Sequence, residues 1–147
     1  MAKAKPLGTE ERLAHGGATH VAVITHEDLT ETTANTAQTI ELMDVASKVA
    51  VECVYTDLVA PFEDASDAAF NTNTLVVGDG GNTARLLASQ EMNVNGTEVL
   101  VKAGTGTLYP YTGADTVDAV IGSMAAKSLS NVDTGEVHIY LKVIDAS

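Results

Sequence analysis

The sequence predicts an all-β fold, a jelly-roll-like antiparallel β-sandwich with an extended N-terminal arm, and three observations predict it. Short runs of alternating apolar and polar residues recur between turn signals rich in Gly, Asn and Asp. Eighteen Thr and seventeen Val supply β-branched side chains that suit a pleated, half-buried surface. Stretches with a helical apolar period are almost absent. The 147 residues fit one domain. With two Phe, four Tyr and no Trp, its core must be built from small and mid-sized side chains.

Residues 1–17 read as a flexible arm, and 18–147 as the sandwich domain. Pro6, Gly8, Gly16 and Gly17 interrupt the arm, where Lys3, Lys5 and Arg12 outnumber Glu10 and Glu11. The first strand covers 20–25 and the second 38–43, with apolar residues at alternate positions. The third covers 48–58, with Val49, Val51, Cys53 and Tyr55 on one face and Pro61 as its stop. Residues 62–71 are acidic and Ala-rich and read as a loop or one short helical turn. A strand over 72–77 runs into the turn Gly78-Asp79-Gly80-Gly81-Asn82, and 83–91 reads as a short helix capped by Thr83. Strands over 97–103, 107–111 and 116–121 follow. The last, 136–144, alternates most clearly, with Val137, Ile139, Leu141 and Val143 on one face and Glu136, His138, Tyr140 and Lys142 on the other. This gives eight strands.

Charge narrows the function. Eight basic against twenty acidic residues give a net charge of −12. A surface of that sign is unsuited to gripping phosphate backbones or anionic lipid. No apolar run approaches the ~18 residues of a membrane span, and the basic start lacks the apolar stretch of a secretory signal. The single Cys53 allows no internal disulfide and sits on an apolar strand face, as a small buried hydrophobe does.

The candidate chemical motifs are weak. Residues 78–85, Gly-Asp-Gly-Gly-Asn-Thr-Ala-Arg, match neither a dinucleotide fingerprint nor a P-loop, and one Asp with Asn82 supplies too few oxygens for calcium. His20 and His26, six residues apart along a strand, stand roughly 20 Å from one another and cannot share a metal. Asp115 and Asp118, three apart, point to opposite faces. No Ser-centred elbow occurs. The expectation is a binding or structural module without catalytic residues, metal or cofactor.

Four stretches carry a resemblance: Glu27-Asp28-Leu29-Thr30 leading to Asn35-Thr36-Ala37-Gln38-Thr39-Ile40-Glu41-Leu42; residues 75–86, Leu-Val-Val-Gly-Asp-Gly-Gly-Asn-Thr-Ala-Arg-Leu; residues 109–117, Tyr-Pro-Tyr-Thr-Gly-Ala-Asp-Thr-Val; and Gly135-Glu136-Val137-His138-Ile139-Tyr140. In that order, over about residues 20–145, the chain resembles small virion proteins of tailed bacteriophages, in particular capsid decoration (cement) proteins. The resemblance implies a homotrimer on the outer capsid surface, clamping junctions between subunits of the major capsid protein and made in the host bacterial cytoplasm. It implies no catalytic residue and no cofactor. Lys3, Lys5 and Arg12 are the candidate contacts to capsid or neighbouring protomer. Two alternatives share the composition: a phage neck or tail protein, and a carbohydrate-binding module with Tyr109 and Tyr111 as its platform.

Overall fold

The computed structural model describes residues 3–147 as two packed antiparallel sheets. In chain order the elements are β1 (Lys5–Pro6), α1 (Thr9–Ala14), β2 (His20–Thr25), β3 (Gln38–Val45), β4 (Val49–Glu63), β5 (Thr74–Gly78), β6 (Leu87–Glu91), β7 (Val101–Ala103), β8 (Tyr109–Pro110), β9 (Asp115–Ile121) and β10 (Thr134–Asp145). One sheet runs β1-β2-β10-β4-β7, with β8 also on β4; the other runs β3-β9-β5-β6. Setting aside β1 and β8, the strands form four nested pairs: β2 with β10, β3 with β9, β4 with β7 and β5 with β6. A long hairpin rolled into two sheets gives this order, which is the winding of a jelly roll.

Period-two patterning fills the space between the sheets. Val137, Ile139 and Leu141 of β10 are fully buried, facing Val117, Ala119 and Ile121 of β9 and Leu75 and Val77 of β5. Phe62 and Phe70 are the largest fully buried side chains. Each large apolar side chain withdrawn from water contributes about 1.5–3 kcal/mol.

The β4–β10 register shifts at three places, and the shift between Tyr140 and Leu141 changes the inward pattern of β4. Tyr140 pairs with Tyr55 but Leu141 pairs with Cys53, leaving Val54 as an extra residue. That bulge exchanges the faces. Val51 and Cys53 point inward before it, Thr56 and Leu58 after it, and Tyr55 leaves the face expected for it. Pro61 does not end the strand. It sits where the β4–β10 register shifts between the Glu136–Ala60 and Thr134–Glu63 pairs, a place that tolerates a missing N–H. Beyond it Phe62 is fully buried in the same core as Leu58, its N–H donating to Met92 O at 2.8 Å.

Residues 83–91 are not a helix. Thr83 and Ala84 lie in a turn, and β6 then pairs with β5 at the edge of the second sheet. Leu86 and Leu87 are both fully buried, so tertiary packing overrides the helix-forming composition. The strands expected over 97–103 and 107–111 shorten to β7 and β8, two pieces of one interrupted strand along β4.

The stretch expected as an arm lies against the sandwich over its described residues, 3–17; Met1 and Ala2 fall outside the described residues. Ala4 N–H donates to Leu42 O of β3, while β1 pairs with β2, so this segment bridges the two sheets along one flank. Helix α1 then caps itself through the Glu11 carboxylate on Gly8 N–H at 2.9 Å. It is stopped by Gly16 and Gly17, at φ 65° and 84°. The opposite flank is sealed by residues 97–105. Val99 N–H donates to Glu91 O and Thr105 N–H to Leu86 O, while β7 pairs with β4. Gly104 makes this possible, because a Cβ there would lie 1.8 Å from Cys53 O and 2.9 Å from Leu86 O.

Candidate functional site

Three clusters hold the residues singled out from the sequence. The first is the glycine-rich turn after β5. Gly78 has no room for a side chain, since a Cβ would lie 2.1 Å from Asn82 O. The chain therefore folds back over it and aims its own amides at Asp79. Asp79 Oδ1 accepts from Gly81 N–H (3.0 Å) and Asn82 N–H (2.9 Å). Its Oδ2 accepts from Arg85 Nε (2.6 Å) and the Tyr111 hydroxyl (3.0 Å). Burial pushes the Asp79 carboxyl up, but hydrogen bonds from Arg85, Asn82 and Tyr111, with the Arg85 charge, outweigh it and hold it below the usual carboxylate range. Burial, then the Asp79 hydrogen bond and charge, hold the Tyr111 phenol up.

Two consequences follow for ligand binding. The anion these amides hold is the protein's own carboxylate. Tyr109 and Tyr111 meet edge to face, centroids 4.9 Å apart, with Tyr111 buried and the Arg85 guanidinium 3.9 Å above the Tyr109 ring. The two rings thus present no shared open face on which a sugar could stack.

The second cluster is where α1 meets the first sheet. Leu7, Ala18 and Tyr140 form a small separate core with Val21, Val54 and Tyr55 packed on it. The His15 ring stacks on Tyr140 at 4.1 Å and Tyr140 on Tyr55 at 4.7 Å, with His15 Nδ1 2.5 Å from the Tyr55 hydroxyl. Burial, then the charge of Asp57, raise the Tyr55 phenol. The bulge at Val54 places Tyr55 on this outer face, and no feature of the sequence marks that bulge.

Of the three basic residues expected as contacts, Lys3 reaches Glu41 at 3.7 Å. Arg12 Nε donates to Leu7 O at 3.0 Å, bracing the start of its own helix. Lys5 is exposed on β1. Lys3, Lys5 and Arg12 thus share one corner of the domain, and two of them are engaged within it. His20 lies on β2 beside β1, where burial, then the charge of Arg12, lower its pKa. His26 belongs to a 3-10 turn beyond β2, not to the strand face it was assigned.

The third cluster lies on the outer face of the second sheet. Asp115 is exposed at the start of β9, whereas Asp118 is 9 % exposed and pairs across the sheet with Glu41 on one side and Gly78 on the other. Its Oδ1 is buried with no hydrogen-bond partner. Burial raises the Asp118 carboxyl against a lowering hydrogen bond from Thr116, and the charges of Glu41, Asp115 and Asp79 add to the rise. Among the described residues no group of three or more His, Cys, Asp or Glu is placed to hold a metal ion. Cys53 is buried, and burial, then Glu52, push its thiol up to about 12, so it is a poor nucleophile.

Sequence reasoning missed a polar link between the sheets. Thr56 Oγ1 donates to Gln90 Oε1 at 2.5 Å in the interior, and Gln90 Nε2 to Val99 O at 2.6 Å at its half-buried margin. A Gln at an inward position of a short strand was the available signal. No helix among the described residues is long and apolar enough to cross a membrane. No family model, no curated protein and no solved structure matches the chain.

Proposed function

We propose that this chain is a structural protein of a tailed-bacteriophage virion, a decoration protein that binds the outside of the head and stabilises contacts between major capsid protein subunits. The observation that carries the reading is the nested pairing of β2 with β10, β3 with β9, β4 with β7 and β5 with β6. It is the jelly-roll winding that the resemblance of four stretches of the sequence implies. A fold alone does not specify a function; the site chemistry adds support. The polar groups of the glycine-rich turn are spent on one another, around Asp79, and so serve the domain's own stability.

On this reading the protein is not an enzyme and needs no cofactor. Its partners are the major capsid protein and two further copies of itself in a homotrimer. It touches neither nucleic acid nor membrane, and it reaches the outer capsid surface after synthesis in the host bacterial cytoplasm. A charge of −12 keeps free copies apart and soluble before assembly. Contacts repeated by three linked copies bind far more tightly than one alone.

The test is to heat heads with and without the protein and follow the accessibility of packaged DNA to nuclease. Heads lacking it are expected to release DNA at a lower temperature, and equal release refutes the cementing role. Copy number separates the neighbouring reading: hundreds per particle fit decoration, and six or twelve fit a neck or tail ring.

A further inference from the structure

The chain has seven asparagines, and only Asn95 is followed by glycine; the other six precede Thr or Val. That neighbour governs how long an asparagine side chain lasts. Its amide is lost when the main-chain nitrogen of the next residue, stripped of its proton, attacks Cγ. A β-branched neighbour crowds that nitrogen, whereas glycine leaves it bare and free to rotate towards the attack.

The fold leaves this pair open and closes the comparable one. Asn95 is exposed in the turn 93–96 that follows β6, and within the described residues its side-chain amide makes no hydrogen bond. Two bonds hold the turn: Asn95 N–H donates to Asn93 Oδ1 at 2.8 Å, and Gly96 N–H to Asn93 O at 3.1 Å. The second, longer bond must open before the Gly96 nitrogen can turn to Cγ. Asp79–Gly80 is the one Asp–Gly pair and is capable of the same ring closure. Its carboxylate is buried and held by Gly81, Asn82, Arg85 and Tyr111, so it cannot reach the Gly80 nitrogen.

The same turn clamps part of the core. Buried Asn93 donates through Nδ2 to Phe70 O at 3.0 Å and to Asn73 Oδ1 at 3.3 Å. Glu91 Oε1 accepts from Asn73 N–H at 2.9 Å and Asn93 N–H at 3.0 Å. Gly96 lies against this clamp, since a Cβ there would stand 3.0 Å from Asn71 O and 3.1 Å from Glu91 Cγ and Cδ. We propose that Asn95 is a deamidation site of the folded protein, and that its conversion loosens the clamp over Phe70. The Gly96 nitrogen bonds to Asn95 Cγ, the Cγ–Nδ2 bond breaks, and ammonia leaves with the proton that the Gly96 nitrogen gave up. Water then opens the succinimide to an aspartyl or an isoaspartyl residue. Both products set a new carboxylate in the turn that packs on Glu91, and the isoaspartyl form adds a methylene to the main chain there. The site stands apart from the virion reading, because it requires only the purified chain and water.

The purified chain is held at pH 8, well below its unfolding midpoint, and mapped at intervals by mass spectrometry of its peptides. Conversion at Asn95 is expected to be at least about tenfold faster than at any other asparagine. It is expected to slow at least about tenfold at pH 6, where fewer attacking nitrogens lose their proton. Labelling by an isoaspartyl methyltransferase should locate the isoaspartyl product at the same position. Amide exchange at Asn73 and Asn93 should be at least about tenfold faster in the aged protein than in the fresh one. Asn95→Gln keeps an amide but needs a larger ring, so its exchange at those two residues should not change with age. Conversion spread evenly over the asparagines, or seen at Asn95 only when urea unfolds the chain, overturns the proposal. So does an aged, converted protein whose exchange at Asn73 and Asn93 is unchanged.

Discussion

Asp118 carries a cost that a single atom substitution removes. Its Oδ1 is buried without a partner, and Glu41 lies directly across the strand pair. An unsatisfied buried polar atom costs about 1–3 kcal/mol, and like charges opposite one another in a sheet add to that. Asp118→Asn keeps the shape and removes the charge, so a net gain of about 1 kcal/mol at pH 8 is expected after part of the desolvation cost is retained by the amide. The pH dependence identifies the cause. The folded-state carboxyl is raised above its unfolded value, so the native state binds more protons in that interval. The neutral form's stability is fully present below the unfolded value and is lost as pH rises through the folded one. Urea unfolding of both proteins from pH 3 to pH 8 should therefore show the gain of Asp118→Asn growing with pH and vanishing at the acid end. Glu27→Gln, which removes an exposed charge, controls for the general relief of a −12 surface. A loss of stability at pH 8, or a gain that is the same at every pH, refutes the reasoning.

Three further outcomes are expected. Gly104→Ala drives a Cβ into Cys53 O and Leu86 O, backbone atoms that cannot step aside, and should cost more than about 3 kcal/mol by urea unfolding or prevent folding altogether. Asp79→Asn weakens the hydrogen bonds that Arg85 and Tyr111 make to the carboxylate and should lower stability at pH 7 by about 1.5–3 kcal/mol. Because the folded Asp79 carboxyl is held low, its stabilisation is present above the unfolded value and lost as pH falls through the folded one, so the variant's deficit should shrink in acid. His15→Ala removes the ring stacked on Tyr140 and should expose residues 9–17 to limited proteolysis while the unfolding midpoint of the sandwich moves little.

How far the sequence could be read differs from strand to strand, for physical reasons. β10 alternates cleanly because one face is buried along its length, and its bounds fall within two residues of the 136–144 expected. β4 is half legible: Val51 and Cys53 point inward as the alternation says, but a bulge has no composition of its own, so the exchange of faces at Val54 was invisible. Residues 83–91 misled because Ala, Leu, Gln and Glu favour helix locally, whereas two adjacent leucines are both drawn into the interior from a turn and an edge strand. The glycines near the start were read as freedom, yet two of them end a helix that packs over Tyr140 and Tyr55. For Asp115 and Asp118 the sequence did not supply the loop over Gly78 that goes with the burial of one carboxylate and the exposure of the other.

The nested pairing also dictates the order in which this domain can be completed. The strand at the centre of the larger sheet, between β2 and β4, is β10, made of residues 134–145. On the ribosome, β2 and β4 must therefore wait, unpaired with each other and with their apolar faces uncovered, until more than seventy further residues have been made. Only the β5–β6 hairpin, the innermost pair, can close early. Each later pair encloses the one before it, so loop-closure entropy is met from the inside outward and refolding belongs to the slow range of milliseconds to seconds. During that wait the unpaired edges and uncovered apolar faces of β2 and β4 are the part of the chain most open to association with its neighbours.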